Sequence, residues 1–259
     1  MSGEIIIKTP SEILRIRKAS TIVAQTLSYL EKFIKPGIST LELDKIAEDF
    51  IFTKGGKPAF KGYTVGNGKE VIKYNHTICA SVNEVVIHGV PSSEVILKEG
   101  DIISIDVGVI FDGYYGDGAR TYFVGEVSPI KKKLSEVTRQ ALYEAIDMCR
   151  EGNRVGDISR VIYEFVRKNG FDVIRGYTGH GVGKFLHEAP PIPNYPVGAG
   201  PRLKKNMTIA IEPMVVSGSF RIKVLSDGWS VCAVDGKPSA HWEHTVLITD
   251  SLPEILTVE

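Results

Sequence analysis

The sequence predicts an α+β fold made of two duplicated ααβ halves, approximately residues 9–126 and 127–250, within a single domain spanning 1–259. Three observations lead there. Segments with apolar residues at helical spacing come in two pairs, and a shift of 115 residues lays Gly37 on Gly152, Leu43 on Ile158, Phe50 on Phe165 and Gly55 on Gly170. A shift of 106 residues lays LKEGDIISID (97–106) over LKKNMTIAIE (203–212), which puts Asp106 on Glu212. The third is the stretch 101–124, DIISIDVGVIFDGYYGDGARTYFV, which reads as a hairpin carrying two carboxylates. Ile103 and Ile105 alternate with Ser104 and Asp106, the period of a half-buried strand. Asp112-Gly113 is a two-residue turn that pairs Phe111 with Tyr114. That register sets Asp106 opposite Ala119 and leaves Asp117 as its diagonal neighbour on the same face, roughly 7–8 Å away. Two like charges at that spacing call for a cation between them.

The elements follow in order. Thr9-Pro10-Ser11-Glu12 is a capping box with Pro at the first helical position, and it opens a long amphipathic helix that runs toward Pro36-Gly37. Ser39 and Glu42 open a second helix, closed by Gly55-Gly56. Residues 58–73, rich in Gly and Lys and containing Tyr63 and Asn67, read as a long surface loop. Residues 78–90 return to strand alternation with a turn at Asn83-Glu84. Ser128-Pro129 begins a helix through Cys149, and 157–169 makes a shorter one ended by Gly170. Duplicated halves related by a pseudo-twofold would set Asp106 and Glu212 facing a common centre, where a metal is expected.

Composition narrows the class. A chain of 259 residues can bury a sizeable core. With 31 basic and 31 acidic residues, nothing points to nucleic acid or to an anionic membrane. There is no basic n-region with an apolar core, nor any apolar run near the ~18 residues of a membrane span. The expectation is a soluble cytoplasmic protein. Cys79, Cys149 and Cys232 are far apart and form no CxxC pattern, which fits a reducing compartment.

Further candidate ligands lie downstream. His180 stands among Gly176, Gly179, Gly181 and Gly183, as suits a backbone bent around a site. His187 follows beside Glu188, and Glu243 sits in an otherwise apolar strand, SAHWEHTVLI. Two Asp, two Glu and one His form a hard, oxygen-rich set suited to a pair of divalent ions such as Mn, Fe, Co or Zn. Such a pair can acidify a water and polarise a carbonyl, and the same charge arrangement would serve a two-metal phosphoesterase equally well.

The motifs IDVGVIFDGYYGDGART, GHGVGKFLHEAP, IAIEPM and SAHWEHTV, in that order, closely resemble those of the type I methionine aminopeptidases of the pita-bread family, and the resemblance covers roughly residues 5–258. It implies a single catalytic domain of pita-bread fold, with antiparallel sheet covered by helices, that removes initiator methionine from nascent polypeptide N-termini when the next residue is small. By motif, Asp106, Asp117, His180, Glu212 and Glu243 become the ligands of two metal ions, with Asp117 and Glu243 bridging. His88 matches the family's first histidine, near the substrate amine. His187 matches its partner, hydrogen-bonding the scissile peptide, and Glu212 the acid/base that passes a proton to the leaving amine. The methionine pocket maps to Tyr63, Cys79 and Trp229, aromatic faces and sulfur that pack well against a thioether. A monomer is implied, with the ribosome as a candidate contact.

The chain departs from the usual pattern in three places. The stretch 62–75 is longer than in the commonest bacterial members, Leu186 stands where many relatives carry Phe, and His241 replaces the usual Gln. Two other readings remain open. A prolidase or aminopeptidase P resembles this fold and uses the same five ligands, but usually carries an extra domain before the catalytic half. A pita-bread protein that has lost catalysis would serve as a binding module, but would lack ligands that are present here.

Overall fold

A computed structural model describes residues 3–66 and 71–259; Asn67 lies outside the described residues. Helix α1 (Pro10–Glu31) and helix α2 (Thr40–Thr53) both begin at capping boxes. The Glu12 carboxylate accepts the Thr9 N–H at 2.8 Å, and the Glu42 carboxylate accepts the Ser39 N–H at 2.8 Å. α1 stops earlier than its apolar spacing suggests, and turns carry the chain through Pro36-Gly37.

The described residues of the 58–73 stretch include strand as well as loop. Strand β1 (Lys57–Pro58) enters it, and β2 (Thr64–Val65) pairs with β3 (Ile72–Lys73) as a short hairpin. Because β1 pairs with the strand that carries Val109 and Ile110, the residues just after it, Ala59 and Phe60, are pulled into the interior and buried. Strands β4 (Ile78–Val82) and β5 (Val85–Ile87) flank the expected turn at Asn83, whose φ is +53°. The long hairpin follows as β6 (Ile102–Phe111) and β7 (Tyr114–Phe123).

Helix α3 (Pro129–Asp147) and helix α4 (Val155–Lys168) come next. α4 begins two residues before the sequence-based start at Asp157, because the Asp157 carboxylate accepts the Arg154 N–H at 2.9 Å and caps the helix from its third position. The remaining strands are β8 (Asp172–Val173), β9 (Thr178–Gly181), β10 (Glu188–Pro193), β11 (Thr208–Ile211) and β12 (Met214–Val216). They continue with β13 (Ile222–Val224), β14 (Val231–Ala233), β15 (Ser239–His241), β16 (His244–Leu247) and β17 (Glu254–Ile255).

Two sheets position the site. In the first, β6 pairs with β4 and then β1 along one edge and with β7 along the other without a break, from Ile102↔Phe123 to Phe111↔Tyr114. Gly116 admits α1: a Cβ there would lie 2.5 Å from the Ser20 nitrogen. The second sheet runs β10-β9-β11-β16-β17. Odd positions of β6, Ile103, Ile105, Val107 and Val109, pack under α1 and α2 with Leu27, Leu30, Leu43 and Ile51. Ile209 and Ile211 of β11 do the same under α3 and α4 with Leu142, Ile158 and Ile162. Slipping β6 by one residue would expose its four apolar side chains, at a cost on the order of 6–12 kcal/mol. The opposite face, with Ser104, Asp106 and Gly108, is thereby assigned to the molecule's centre.

The sheets join along β7. Ala119 and Glu243 exchange backbone hydrogen bonds of 3.4 and 3.0 Å. On one side Thr245 Oγ1 receives the Asp117 N–H and donates to the Asp117 carbonyl; on the other, Thr121 Oγ1 does the same for His241. Residues 241–245 therefore run antiparallel to β7, and the junction lies under the ligand cluster.

Candidate active site

Each acid is placed by a strand register. Asp106 is opposite Ala119, and Asp117 is opposite Gly108, as the hairpin arithmetic expects. Ile211 pairs with His244 and Met214 with His241, so Glu212 and Glu243 face each other where the ladder is interrupted at Pro213, which has no N–H to give. His180 is opposite Ala210 on the other side of β11. The row Asp106, Ala119, Glu243, Glu212 thus crosses both sheets and brings three acids onto one line.

The cluster is tight and dry. Ligand atoms of Asp117, His180 and Glu243 lie within 4.8 Å of one another. His180 Nε2 is 3.7 Å from Asp117 Oδ2 and 3.6 Å from Glu212 Oε1. Burial pushes Asp106 up to about 7 and Asp117, Glu212 and Glu243 well above the usual carboxylate range, with neighbouring acids adding to the last three. His180 is pushed down to about 3, chiefly by burial. The neutral ring's Nδ1 lies 2.9 Å from the Gly181 carbonyl, which places the proton there and turns the Nε2 lone pair toward the acids.

A cavity of about 220 Å³ opens onto this cluster. Asp106, Asp117, His180, Glu212 and Glu243 form its floor, and the expected substrate-side residues Tyr63, Cys79, His88, His187 and Trp229 also line it. Cys79 is fixed by pairing with Asp106 between β4 and β6. His88 adopts φ +56°, stands edge-on to Tyr177, and is held neutral by burial, its pKa down to about 4. His187 is at the mouth, with Nδ1 2.9 Å from the Tyr63 hydroxyl and its ring 4.4 Å from that of His180. Phe60, Val65, Tyr74 and Leu186 complete the walls.

The whole chain has relatives of known kind. The sequence profile of metallopeptidase family M24 matches residues 15–250. The chain belongs to this family. It is 52% identical to methionine aminopeptidase 1 of Bacillus subtilis over 98% of its own length and 99% of the relative's. The crystal structure of a methionine aminopeptidase from Thermotoga maritima superposes with a TM-score of 0.94 at 48% identity, covering 99% of this chain and 100% of that one. A prolidase from Pyrococcus furiosus matches with a TM-score of 0.77 at 26% identity; the match covers 98% of this chain but 66% of the prolidase. The fold is the pita-bread fold of these enzymes.

For a metallopeptidase the donor set is well suited to hard divalent cations. Asp106 Oδ1, Asp117 Oδ1 and Glu243 Oε1 are buried and have no hydrogen-bond partner among the described residues. Unpaired buried carboxylate oxygens are costly unless positive charge is supplied, and the one neutral imidazole adds a nitrogen donor. Sequence reasoning did not select Phe60 or Tyr74 for the pocket. Tyr74 hydrogen-bonds the Ile78 carbonyl at 2.8 Å and stands edge-on to Trp229, contacts that no local spacing announces. It also missed Lys8, whose Nζ lies 2.6 Å from Glu188, the neighbour of His187, with both side chains 2% exposed. A lysine at a chain end carries no signal of burial.

Proposed function

We propose that this M24 metallopeptidase removes the N-terminal methionine from polypeptide chains when the next residue is small, using two divalent ions held by Asp106, Asp117, His180, Glu212 and Glu243. The observation that carries the reading is the junction of an apolar, aromatic cavity with a buried floor of carboxylates, in a chain that matches methionine aminopeptidases along its whole length. Ions of the Mn, Fe, Co or Zn class would supply charge that acidifies a water and polarises the carbonyl of the first peptide bond.

The chain's own residues supply the rest. Phe60, Tyr63, Tyr74, Cys79, Leu186 and Trp229 surround a space suited to an unbranched thioether and keep bulk water from it. His88, neutral at pH 7, faces the cavity where the free amine would lie. His187, oriented by the Tyr63 hydroxyl, is placed to donate to the scissile carbonyl as charge develops there. Glu212, whose burial favours holding a proton, is suited to pass it to the leaving amine.

We further propose that residues 1–259 act as one catalytic domain of two pseudo-symmetric halves, as a monomer in the cytoplasm, on nascent chains at or near the ribosome. No helix among the described residues is long and apolar enough to cross a membrane. The deciding assay compares Met-Gly-Met-Met, Met-Leu-Met-Met and Leu-Pro-Gly on chelator-stripped protein reloaded separately with Mn, Co, Fe or Zn. Metal-dependent release of Met from the first peptide alone is expected. Cleavage chiefly before proline would assign the chain to the prolidases, and no cleavage with any metal would leave a binding module.

A further inference from the structure

His241 has no role in the reading above, yet its environment is unusual. It is 2% exposed, and its Nε2 is buried without a hydrogen-bond partner among the described residues. That nitrogen lies 3.7 Å from Glu212 Oε2 and 4.0 Å from Glu243 Oε2. Its backbone is fixed, because the His241 N–H reaches both Ser104 Oγ and Thr121 Oγ1 at 3.1 Å.

Glu212 is therefore addressed by two imidazoles, one at each oxygen. Oε1 faces His180 Nε2 at 3.6 Å, and that nitrogen carries a lone pair because the His180 proton is on Nδ1. Two electron-pair donors face each other there, so a proton or a metal ion belongs between them. Oε2 faces His241 Nε2, which has no hydrogen-bond partner among the described residues, and a short movement would close a hydrogen bond between them. Position in the fold supports this pairing. Under the 106-residue offset that lays Asp106 on Glu212, Gly108 corresponds to Met214; Asp117 is paired with the first and His241 with the second. His241 thus holds in the second hairpin the place that Asp117 holds in the first, on the face turned to the centre. It is not part of the compact set formed by Asp117, His180 and Glu243.

We propose that His241 is a positioning residue: its Nε2–H holds the outer oxygen of Glu212, so that the inner oxygen is the one presented beside His180. The inference rests on the metal-site reading. Its test is Co(II) titration of chelator-stripped protein, followed by calorimetry and by the visible Co(II) spectrum. His241→Met fills the space without a donor and is expected to weaken Co(II) binding by about 10–100-fold. His241→Gln keeps a donor and is expected to bind within about threefold of the parent, with its visible bands unmoved. Binding by His241→Met as tight as the parent's overturns the proposal. So does equal loss in both variants with shifted bands, which would make the imidazole itself a ligand. A parent protein that takes up no Co(II) would instead remove the metal-site reading. Should His241→Met not fold, histidine ¹⁵N NMR of the parent decides, since a His241 ring found unprotonated at Nε2 overturns the proposal.

Discussion

The two hairpins that meet at the centre share a plan and differ in execution. α2 and α4 both have 14 residues and start at Thr40 and Val155, the same 115 residues apart that the sequence repeat requires. β6 and β11 start at Ile102 and Thr208, 106 residues apart. From there they diverge. β6 and β7 run uninterrupted past Asp106 and Asp117, whereas the second ladder breaks at Glu212-Pro213 and Trp242-Glu243 before resuming as β12 and β15. In the first hairpin the partner-strand acid is diagonal to Asp106; in the second, Glu243 is directly opposite Glu212. His180 approaches Glu212 from the other edge of β11, where it pairs with Ala210. Matching spacings give the two hairpins a common frame, and the break at Glu212-Pro213 makes them unlike.

The comparison can be broken most severely at the acids themselves. Asp106→Ala is expected to lower turnover by ~1,000-fold or more and, under the proposed two-ion centre, to leave one bound ion, because Asp117, His180, Glu212 and Glu243 still surround the other position. Metal analysis beside peptide kinetics checks this, and full turnover with two ions would remove Asp106 from the site. Glu243→Ala, at the junction of both sheets, is expected to lose both ions.

Lys8 tests how the segment before α1 is tied to the second sheet. Its N–H bonds the Asn206 carbonyl and its ammonium is buried on Glu188. Lys8→Met strands that carboxylate and is expected to destabilise by ~3–5 kcal/mol, lowering the melting temperature by about 10 °C. The double variant Lys8→Met, Glu188→Leu should recover most of the loss. A single variant that melts like the parent would show the pair to be inert.

Proton linkage gives the next effect. Burial pushes Asp106 up to about 7 without metal and the other three acids well above the usual carboxylate range, so the metal-free centre favours holding protons. Metal needs those carboxylates ionised, so its uptake releases protons and its affinity falls as pH drops below 7, by about tenfold per unit for each proton released. Calorimetry in two buffers of different ionisation enthalpy reads the protons directly, and identical heats would contradict the raised values.

The smallest effect compares helix starts. Ser39 accepts from Glu42 in a reciprocal box, whereas Ser128, before α3, makes no side-chain cap bond. Ser39→Ala should cost ~1 kcal/mol and Ser128→Ala less than about 0.5 kcal/mol, measured by denaturant unfolding. Equal costs would mean that both halves nucleate their helices alike.

Period and turn chemistry made the β6–β7 hairpin legible to the residue, because alternation and an Asp-Gly turn are local rules that burial then enforces. The internal repeat located Glu212 for the same reason: matching apolar spacing requires matching faces. His180 and Glu243 stood out by local context, an imidazole among glycines and an acid in an apolar strand, whereas the roles of His88 and His187 were reached only from the family's motifs. Phe60 escaped because a loop rich in Gly and Lys gives no hint that β1 will draw its successor inward. Lys8 and Tyr74 escaped because their partners lie elsewhere in the chain, in sequence or in register.

By itself the sequence determined the helices, the strand faces and the acids that those faces deliver, since each depends on periodicity and on capping within a few residues. Tertiary structure alone decided that Ala119 and Glu243 would join the sheets, that the ladder would open at Pro213, and that Glu212 would stand between His180 and His241. Those outcomes depend on contacts between residues separated in sequence by 29 (Glu212 and His241) to 124 positions (Ala119 and Glu243), and no local pattern carries that distance.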